Sequence, residues 1–472
     1  MKKTFLIIAV LFSVNSFAQE LITDNPSVND AFKLAVQTLD INTRRGVLAA
    51  GGDYGGEWTR DIAINSWNAA SLLRPVVAEK SLWSVTIHRD TIGHQYWDKI
   101  IWSVAAWNHY VVTGDKAFLA QAYKCSANTM KQLEQTTFDE KYGLFKGGSV
   151  FNDGIAAYPE PIYEPANYSG SVLDHKNSYK IKCLSTNCVY RGAYLALARM
   201  SRLLNSNKME SNVYQAKADR LKSNILKYFY NSDKNTFNYV IDQNGKIHSY
   251  QEGLGISFAV LFGILDGENA TRLISQAVVS TYGITSISPD FTRYSRDMPG
   301  RHNNIIWPMV NGFYARAAIA SESYPAFTHE LFSLTKLALD ADKGDYNFRE
   351  IYNPTTGKPD GGYQAWGAEH PNYHWESCKL QTWSATAYIS MVFNGLVGMK
   401  FTEESLTLSP FLPREIGTLE IKNLKYRQAD LSISIKGNGK TIKSFQLDGK
   451  DQPDYSISST LIGSHRVTIV VE

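Results

Sequence analysis

The sequence has 472 residues and a formal charge of only +3. Its first 18 residues combine two lysines, an apolar run over 5–12 and small residues at the end, which is typical of a cleavable secretory signal peptide. Removing them takes the charge to +1, too little to favour nucleic acid or an anionic membrane as a partner. We therefore expect a periplasmic or secreted monomer with no nucleic-acid partner, no membrane insertion and an uncharged substrate.

Helical periodicity recurs from about residue 27 to residue 397. Apolar residues repeat at helical spacing in nine segments and more weakly in two others, near 256–264 and 268–278. The nine are 31–39, 62–73, 96–112, 116–133, 190–204, 213–228, 305–320, 326–339 and 382–396. Three connections, over 143–180, 281–304 and 343–381, are longer than the roughly 12 to 15 residues beyond which loops are usually functional. We expect the chemistry of the protein in these loops.

After Met399 the pattern changes to alternation. Leu431, Ile433 and Ile435 alternate with polar residues, and glycine-containing turn signals follow, which predicts β-strands. Helices followed by a small β unit predict a mainly α fold. We expect an (α/α)6 toroid over 19–399 and a C-terminal β-sandwich-like domain over 400–472. A helical solenoid is the alternative, but no fixed repeat is found.

The four cysteines show no metal-ligand spacing. Cys183 and Cys188 flank a short stretch, where an exported protein has either a disulfide or two free thiols. The sequence has no glycine-rich phosphate loop, no histidine-based metal motif and no Gly-x-Ser-x-Gly nucleophile turn. We therefore expect no metal and no cofactor.

Aromatic residues are frequent, with ten Trp, 27 Tyr and 21 Phe, and many stand beside Gly, Asp or Asn in predicted loops. Such loops suit the apolar faces of sugar rings. In the stretch GGEWTRDIAINSW, Asp61 or Thr59 caps a helix beginning near Ile62, or Trp58, Arg60 and Asp61 bind a sugar. Glu57 is then a candidate partner for Arg60.

Two further loops contain carboxylates in aromatic surroundings. Asp153 either makes an Asp-Gly turn or is a catalytic acid, which would need a pKa raised by burial. The third loop holds Glu350, Glu369 and Glu376, which the residues alone do not rank. Paired carboxylates in aromatic loops are typical of glycoside hydrolases. One carboxyl protonates the leaving oxygen, and the other activates water.

These motifs resemble the inverting (α/α)6-toroid glycosidases, particularly glycoside hydrolase family 63 α-glucosidases, and also glucoamylases and glycogen-debranching-type proteins. WTRD at 58–61 is similar to a glucoamylase motif, and GRHNNIIWPMVNGFYARA at 300–317 resembles the pocket segment RGPIWPxxNY. EIYNPTTGK at 350–358 resembles ENYNPLTGKG, and QTWSA at 381–385 resembles GWSA. LSPFLP and NLKYRQADLSISIKGNG in the tail resemble the appended β-domain of such enzymes.

The resemblance implies that Glu350 is the catalytic base and Asp153 the general acid of an exo-acting α-glycosidase that acts on oligo- or polysaccharides. Inversion then requires the two carboxyls to lie about 6.5 to 9.5 Å apart. The residues implied to line the sugar subsite are Trp58, Arg60, Asp61, Tyr158, Trp307, Tyr352 and Trp383. The chain departs from the family over 300–304 and has an extra stretch over 361–380, so the identity of the sugar stays open.

Several alternatives share the same features. A rhamnosidase, a mannosidase or a disaccharide phosphorylase would use the same toroid, although a phosphorylase needs a basic phosphate site in place of Glu350. A polysaccharide lyase would need basic residues for uronic acids. A non-catalytic glycan-binding protein would keep Trp58 and Arg60 but lose one of the two carboxyls.

Overall fold

The computed structural model describes residues 19–472 except 94, 205–207, 341 and 343–344. The predicted signal peptide over 1–18 lies outside the described residues. Within the described ranges, no helix is both long enough and apolar enough to cross a bilayer.

Helices form most of the chain before residue 397. The α-helices are α1 (Pro26–Ile41), α2 (Thr59–Asn65), α3 (Ser71–Leu73), α4 (Pro75–Ser84), α5 (Ile101–Thr113), α6 (Lys116–Thr136), α7 (Leu184–Leu204), α8 (Lys208–Phe229), α9 (Gly253–Leu261), α10 (Gly267–Ser275), α11 (Pro308–Ala320), α12 (Tyr324–Leu339) and α13 (Thr382–Ser390). π-Helical turns join α2 to α3 (Ser66–Ala70) and extend α13 (Met391–Leu396).

The helices form two concentric rings. The inner ring consists of α2 with its continuation, α5, α7, α9, α11 and α13, each contacting the next, and α13 contacts α2 to close the ring. The outer ring consists of α1, α4, α6, α8, α10 and α12, each preceding an inner helix. Every residue of α2 and α13 is buried, as expected for helices with neighbours on all sides. The predicted (α/α)6 toroid is confirmed.

The predicted helices recur with shifted ends. The segment predicted over 305–320 begins at Pro308 because Trp307 has an extended backbone and proline is favoured in the first helical turn. The segment predicted over 382–396 is α13 with its π-helical extension. Helix α4 was missed, since its apolar residues do not form one stripe: Leu82 is buried, whereas Val76 is exposed.

Most strands within the toroid are two-residue pairs in its loops, and the long strands follow residue 399. The strands are β1 (Glu20–Thr23), β2 (Thr43–Arg44), β3 (Val47–Leu48), β4 (Thr86–Ile87), β5 (Thr91–Ile92), β6 (Phe138–Asp139), β7 (Leu144–Phe145), β8 (Lys182–Cys183), β9 (Tyr230–Asn231), β10 (Thr236–Phe237), β11 (Val240–Ile241), β12 (Ile247–His248), β13 (Gln251–Glu252), β14 (Val279–Ser280), β15 (Gly283–Ile284), β16 (Ile287–Ser288), β17 (Tyr363–Gln364), β18 (Tyr373–His374), β19 (Met399–Phe401), β20 (Ser405–Leu408), β21 (Thr418–Tyr426), β22 (Gln428–Gly437), β23 (Ile442–Leu447), β24 (Lys450–Asp451), β25 (Ser456–Ser458) and β26 (Ile462–Val471).

The C-terminal strands form two sheets. The larger has the order β1-β21-β22-β26-β23-β24, and the smaller has the order β19-β20-β25. Strand β22 runs parallel to β26 and antiparallel to β21. Ile433 and Ile435 of β22 pair with Val467 and Ile469 of β26, and all four are buried in the core shared with the toroid. The predicted β-rich unit is confirmed, with one addition: β1, from the start of the described chain, pairs with β21 of this sheet.

All four cysteines are buried free thiols. Cys183 in β8 packs in a small cluster beneath the loops, whereas Cys188 in α7 packs in the main core. The two side chains are thus buried in different clusters. The disulfide considered from the sequence is not formed.

Candidate active site

A cavity of about 790 Å³ opens at the end of the toroid where inner helices begin, a size typical of small-molecule sites. The residues that begin or directly precede α2, α11 and α13 line it, and the loops over 151–174, 301–307 and 350–375 complete its walls. The cavity therefore lies among the long loops in which the sequence predicted chemistry.

The WTRD stretch forms one wall. Helix α2 begins at Thr59, and Trp58 precedes it with an extended backbone and no side-chain cap, so neither Thr59 nor Asp61 caps the helix. Trp58, Arg60 and Asp61 all line the cavity. Glu57 is exposed and does not line the cavity. Its predicted pairing with Arg60 is wrong, because that arginine pairs with an aspartate of another loop.

That aspartate is Asp153. Arg60 Nη2 lies 2.6 Å from Asp153 Oδ2. The guanidinium also lies 5.0 Å from the centre of the Tyr96 ring, and its Nε and Nη1 have no hydrogen-bond partner in the described protein. His302 Nδ1 lies 3.9 Å from Asp153 Oδ1, beyond hydrogen-bond distance. One oxygen of this carboxyl is thus held, and the other is open to the cavity.

Burial and charge act in opposite directions on the pKa of Asp153. Burial is the largest single influence and raises it, but electrostatic interactions with Arg60, His302 and Arg301 and the hydrogen bond from Arg60 together hold the pKa below its ordinary value. This differs from the raised value expected for a catalytic acid. Burial lowers the pKa of His302 to about 3, so His302 is neutral near pH 7. Burial also raises the pKa of Asp61 to about 7.

The loop that carries Asp153 is strained and firmly anchored. Phe151 has a left-handed backbone, with φ of 66°, which costs free energy for a bulky residue and persists only where surroundings impose it. Its N–H donates to Asp98 Oδ2 at 2.9 Å. Asn152 Nδ2 donates to Ser149 Oγ at 2.9 Å, and Ser149 Oγ donates to buried Glu252.

Glu252 receives further hydrogen bonds from Ser185 Oγ and from the Ser185 N–H, the latter at 3.0 Å. Burial raises the pKa of Glu252 to about 7. The carboxyl lies beneath the Asp153 loop and contacts it through Ser149. Sequence analysis did not single out Glu252, because nothing in its spacing relates it to Asp153.

Tyr158 is not a sugar ligand in the structure. Its side chain is fully buried and does not line the cavity. The hydroxyl donates to the Asn152 carbonyl at 2.6 Å and accepts from the Ser149 N–H at 2.9 Å. Its predicted place in the subsite is corrected, because these backbone contacts turn the ring into the cluster beneath the loop.

Glu350 lies on another wall and is coordinated on both oxygens. Arg301 Nη2 donates to Oε1 at 3.1 Å and to Oε2 at 3.3 Å, and the Tyr54 hydroxyl donates to Oε2 at 3.0 Å. The carboxylate is only 3% exposed. Glu369 and Glu376 are not buried and do not line the cavity. Of these three glutamates, Glu350 alone lines the cavity.

Tyr352, two residues after Glu350, is also turned away from the cavity. It is 1% exposed and packs with Ile306 and Leu337. The hydroxyl donates to the Asn347 carbonyl at 2.9 Å and accepts from the Arg349 N–H at 3.0 Å. Its predicted role as a cavity residue is corrected: it braces the segment that carries Glu350.

Aromatic rings form the floor. Trp307 stacks on His302 with centroids 4.3 Å apart, and Trp383 packs edge-on against Trp307 at 5.4 Å. Both indole N–H groups and both amide atoms of Gln381 are buried without a hydrogen-bond partner in the described protein. Buried polar groups normally have partners. A ring bearing hydroxyls would supply hydrogen bonds to them and an apolar face to the indoles.

The extra stretch over 361–380 forms part of the rim. Gln364, Trp366 and Trp375 line the cavity, and strands β17 and β18 pair to form a short hairpin there. A Cβ at Gly154, next to Asp153, would meet Gln364 Oε1, and the same oxygen accepts a hydrogen bond from the Ala156 N–H at 3.2 Å. The hairpin and the Asp153 loop are therefore in direct contact.

The fold and site can now be compared with known proteins. A family model described as "Mannosylglycerate hydrolase MGH1-like glycoside hydrolase domain" matches residues 72–375, well over half of the chain. The chain belongs to this glycoside hydrolase family. "Glycosyl hydrolase family 65, C-terminal domain" matches residues 399–453, in the β-rich unit. The chain thus has a domain of this glycoside hydrolase family on a six-hairpin toroid. No curated protein matches it.

Three solved structures share the fold of this family member. A sialidase has a TM-score of 0.71 at 15% identity over 92% of this chain and 40% of its own. A GH78 rhamnosidase of Bacillus sp. GL1 has a TM-score of 0.60 at 12% identity over 96% of this chain and 44% of its own. A GH63 mannosylglycerate hydrolase of Thermus thermophilus has a TM-score of 0.58 at 13% identity over 77% of this chain and 99% of its own.

The chain spans less than half the length of the sialidase and rhamnosidase chains it matches. At such low identities these similarities establish the fold and no more. The chemistry of this family member must be argued from its own cavity.

Sequence reasoning missed several residues of this cavity. Tyr54, Tyr96, His302, Gln364 and Gln381 stand in loops or at helix starts and have no periodic pattern. Arg301 lies in the segment that departs from the family, and that departure was the signal that could have directed attention to it. Trp366 and Trp375 lie in the extra stretch, whose aromatic content was a similar signal.

Proposed function

We propose that the protein is an inverting, exo-acting α-glycosidase in which Glu350 is the general base and Asp153 the general acid. The observation that supports this assignment is the contrast between two carboxylates in one cavity. Both oxygens of Glu350 accept hydrogen bonds. One oxygen of Asp153 is paired with Arg60, and the other is open to the cavity.

The base must hold and orient a water molecule. The guanidinium of Arg301 provides the counter-charge that a buried carboxylate requires, and the Tyr54 hydroxyl fixes the second oxygen. Glu350 in this setting accepts a proton from the water that attacks the anomeric carbon. Arg301 and Tyr54 thereby position the base.

The acid must carry a proton to the departing oxygen, and Oδ1 of Asp153 is the oxygen available for it. The Asp153 side chain is 30% exposed, so a bound sugar removes more water from it and strengthens the burial effect that raises its pKa. Arg60 becomes shared with sugar hydroxyls, which weakens its opposing effect. The protonated form is therefore favoured when substrate is bound.

Asp61 is the competing candidate for the acid, since its pKa is raised to about 7. However, Asp61 is only 5% exposed, in the first turn of α2. There it is suited to binding hydroxyls of the terminal sugar together with Arg60. We assign Asp61, Arg60, Trp58, Trp307 and Trp383 to that subsite.

An α-glucosyl residue is the first candidate for the terminal sugar, in line with the motif resemblance. Mannose and rhamnose are the alternatives, because a mannosylglycerate hydrolase and a rhamnosidase have the same fold. We also propose that the enzyme is exported through its N-terminal signal sequence. The mass of the mature protein tests export by showing whether residues 1–18 are removed.

Proton NMR of the first-formed sugar tests the mechanism. The enzyme is mixed with α-glucosides, α-mannosides and α-rhamnosides, and we expect the β-anomer to form before mutarotation. Glu350→Gln should release no sugar on this time scale, whereas Glu376→Gln, a matched change at a glutamate outside the cavity, should behave as wild type. An α-anomer formed first would contradict inversion, and binding without release would favour a glycan-binding protein.

A further inference from the structure

The leaving group of the proposed reaction must lie beside the general acid, because the acid protonates the oxygen that this group carries away. Segment 168–174 is tied to the Asp153 loop by backbone hydrogen bonds. The Val172 N–H donates to the Asp153 carbonyl at 2.8 Å, and the Ile155 N–H donates to the Gly170 carbonyl at 2.9 Å. The wall formed by this segment is therefore the leaving-group side of the cavity.

Two aromatic side chains line the cavity on this side while remaining open to water. Tyr168 is 43% exposed and Trp366 is 60% exposed. The segments that carry them are joined by a hydrogen bond of 3.0 Å from the N–H of Gly367, the residue after Trp366, to the Tyr168 carbonyl. Trp366 also packs edge-on against Trp375, with ring centroids 4.8 Å apart. The backbone segments that carry the two side chains are thus joined, and the Trp366 ring has a packing partner.

The charges on this side disfavour an anion. Of the described residues that line the cavity, the two with a permanent positive charge are Arg60 and Arg301, and each is paired with a carboxylate. Asp174 adds a negative charge beside Ser169, whose hydroxyl donates to it. A carboxylate in the leaving group would meet like charges without a free arginine or lysine among these lining residues, and such juxtaposition is unfavourable.

We infer that Tyr168, Trp366 and Asp174 form a leaving-group subsite that accepts a neutral second sugar ring rather than an anionic group such as glycerate. The aromatic rings contact the apolar face of the sugar, and Asp174 accepts hydrogen bonds from its hydroxyls. This inference rests on the proposed function, because the assignment of the wall depends on Asp153 being the acid.

The test compares substrates that share one donor sugar and differ in the leaving group. α-Glucosyl, α-mannosyl and α-rhamnosyl fluorides first identify the donor, since fluoride needs no sugar subsite. The α-1,2-, α-1,3-, α-1,4- and α-1,6-linked disaccharides of that donor are then compared with its 2-O-glycosyl glycerate. The variants are Trp366→Ala and, as a control, Tyr179→Ala, which removes an aromatic ring of the same 60% exposure outside the cavity.

We expect at least one disaccharide to have a kcat/KM at least tenfold above that of the glycerate. Trp366→Ala should lower kcat/KM for that disaccharide about tenfold and change the rate on the fluoride less than twofold, with Tyr179→Ala unchanged on both. The inference is overturned if the glycerate is the better substrate, if fluoride alone is cleaved, or if Trp366→Ala affects fluoride and disaccharide equally. No hydrolysis of any fluoride or disaccharide would overturn the proposed function and this inference with it.

Discussion

The two arginine–carboxylate pairs of the cavity look alike and differ in one decisive respect. Arg301 donates to both oxygens of Glu350, and Tyr54 adds a third hydrogen bond. Arg60 holds one oxygen of Asp153, and the other accepts no hydrogen bond from the described protein. A carboxylate that accepts hydrogen bonds on both oxygens is held in one orientation, as a base must be. A carboxyl with one open oxygen can carry a proton.

The supports of the two pairs also differ. The Glu350 segment is braced by the neutral hydroxyl of Tyr352. The Asp153 loop is anchored on two buried carboxyls, Asp98 directly and Glu252 through Ser149. Burial raises the pKa of both anchors. The Asp153 loop is therefore anchored on carboxyls whose pKa values are raised, whereas a neutral hydroxyl braces the Glu350 segment.

The largest effect is expected for Glu350→Gln, which keeps the shape of the base and removes its function. We expect kcat to fall by about 10²- to 10⁴-fold, the range typical of general base catalysis, with the midpoint of thermal unfolding changed by only a few degrees. Steady-state kinetics and calorimetry measure the two quantities. A loss of stability accompanied by less than tenfold loss of kcat would mean that Glu350 is structural.

The next effect separates Asp153 from Asp61. Asp153→Asn should lower kcat by about 10²-fold on disaccharides, whose leaving oxygen needs a proton, and much less on an α-glycosyl fluoride. Asp61→Asn should lower kcat/KM on both substrates by similar factors, because it removes a contact to the donor sugar. The ratio of the two rates for each variant is the measurement. The reverse pattern would make Asp61 the acid.

A third prediction concerns the charge that Arg60 exerts on the acid. Because Arg60 lowers the pKa of Asp153, Arg60→Met should raise that pKa. The basic limb of the kcat/KM profile, above which the acid has lost its proton, should then move to higher pH. The pH profile of the variant on a fast substrate tests this shift. An unchanged basic limb would mean that Arg60 does not influence the pKa of the catalytic acid.

The last effect is on stability. Glu252 has a raised pKa of about 7 in the fold against an ordinary 4.5, so its contribution is present below pH 4.5 and is lost as pH rises to 7. The variant Glu252→Gln does not lose stability in this way as pH rises, because glutamine does not ionise. Its free energy of unfolding relative to wild type should increase by about 3 kcal/mol between pH 4.5 and pH 7. Urea unfolding at both pH values measures the change.

Glu376→Gln, at a site outside the cavity that is not buried, serves as the control for that experiment and should show no such pH-dependent difference. A constant difference between Glu252→Gln and wild type would mean that folding does not raise the pKa of Glu252. The Asp153 loop would then be anchored on a charge at pH 7, unlike the Glu350 segment, which the neutral hydroxyl of Tyr352 braces.

The sequence by itself determined the order of most of the helices and the β-rich character of the C-terminal unit, because apolar periodicity reports which face of a helix or strand is buried. It also identified six residues that line the cavity, because their motifs are local along the chain. These are Trp58, Arg60, Asp61, Trp307, Glu350 and Trp383. It misassigned Tyr158 and Tyr352, since nearness to a catalytic residue along the chain does not fix the direction of a side chain.

Only the tertiary structure decided which groups meet. Arg60 pairs with Asp153 and Arg301 with Glu350 across separations of 93 and 49 residues, and Trp366 joins the rim through a loop contact with Tyr168. No periodicity links such positions, because closure of the toroid brings their loops to one end. Likewise, the pKa of Asp153 follows from Arg60, a neighbour that only folding provides.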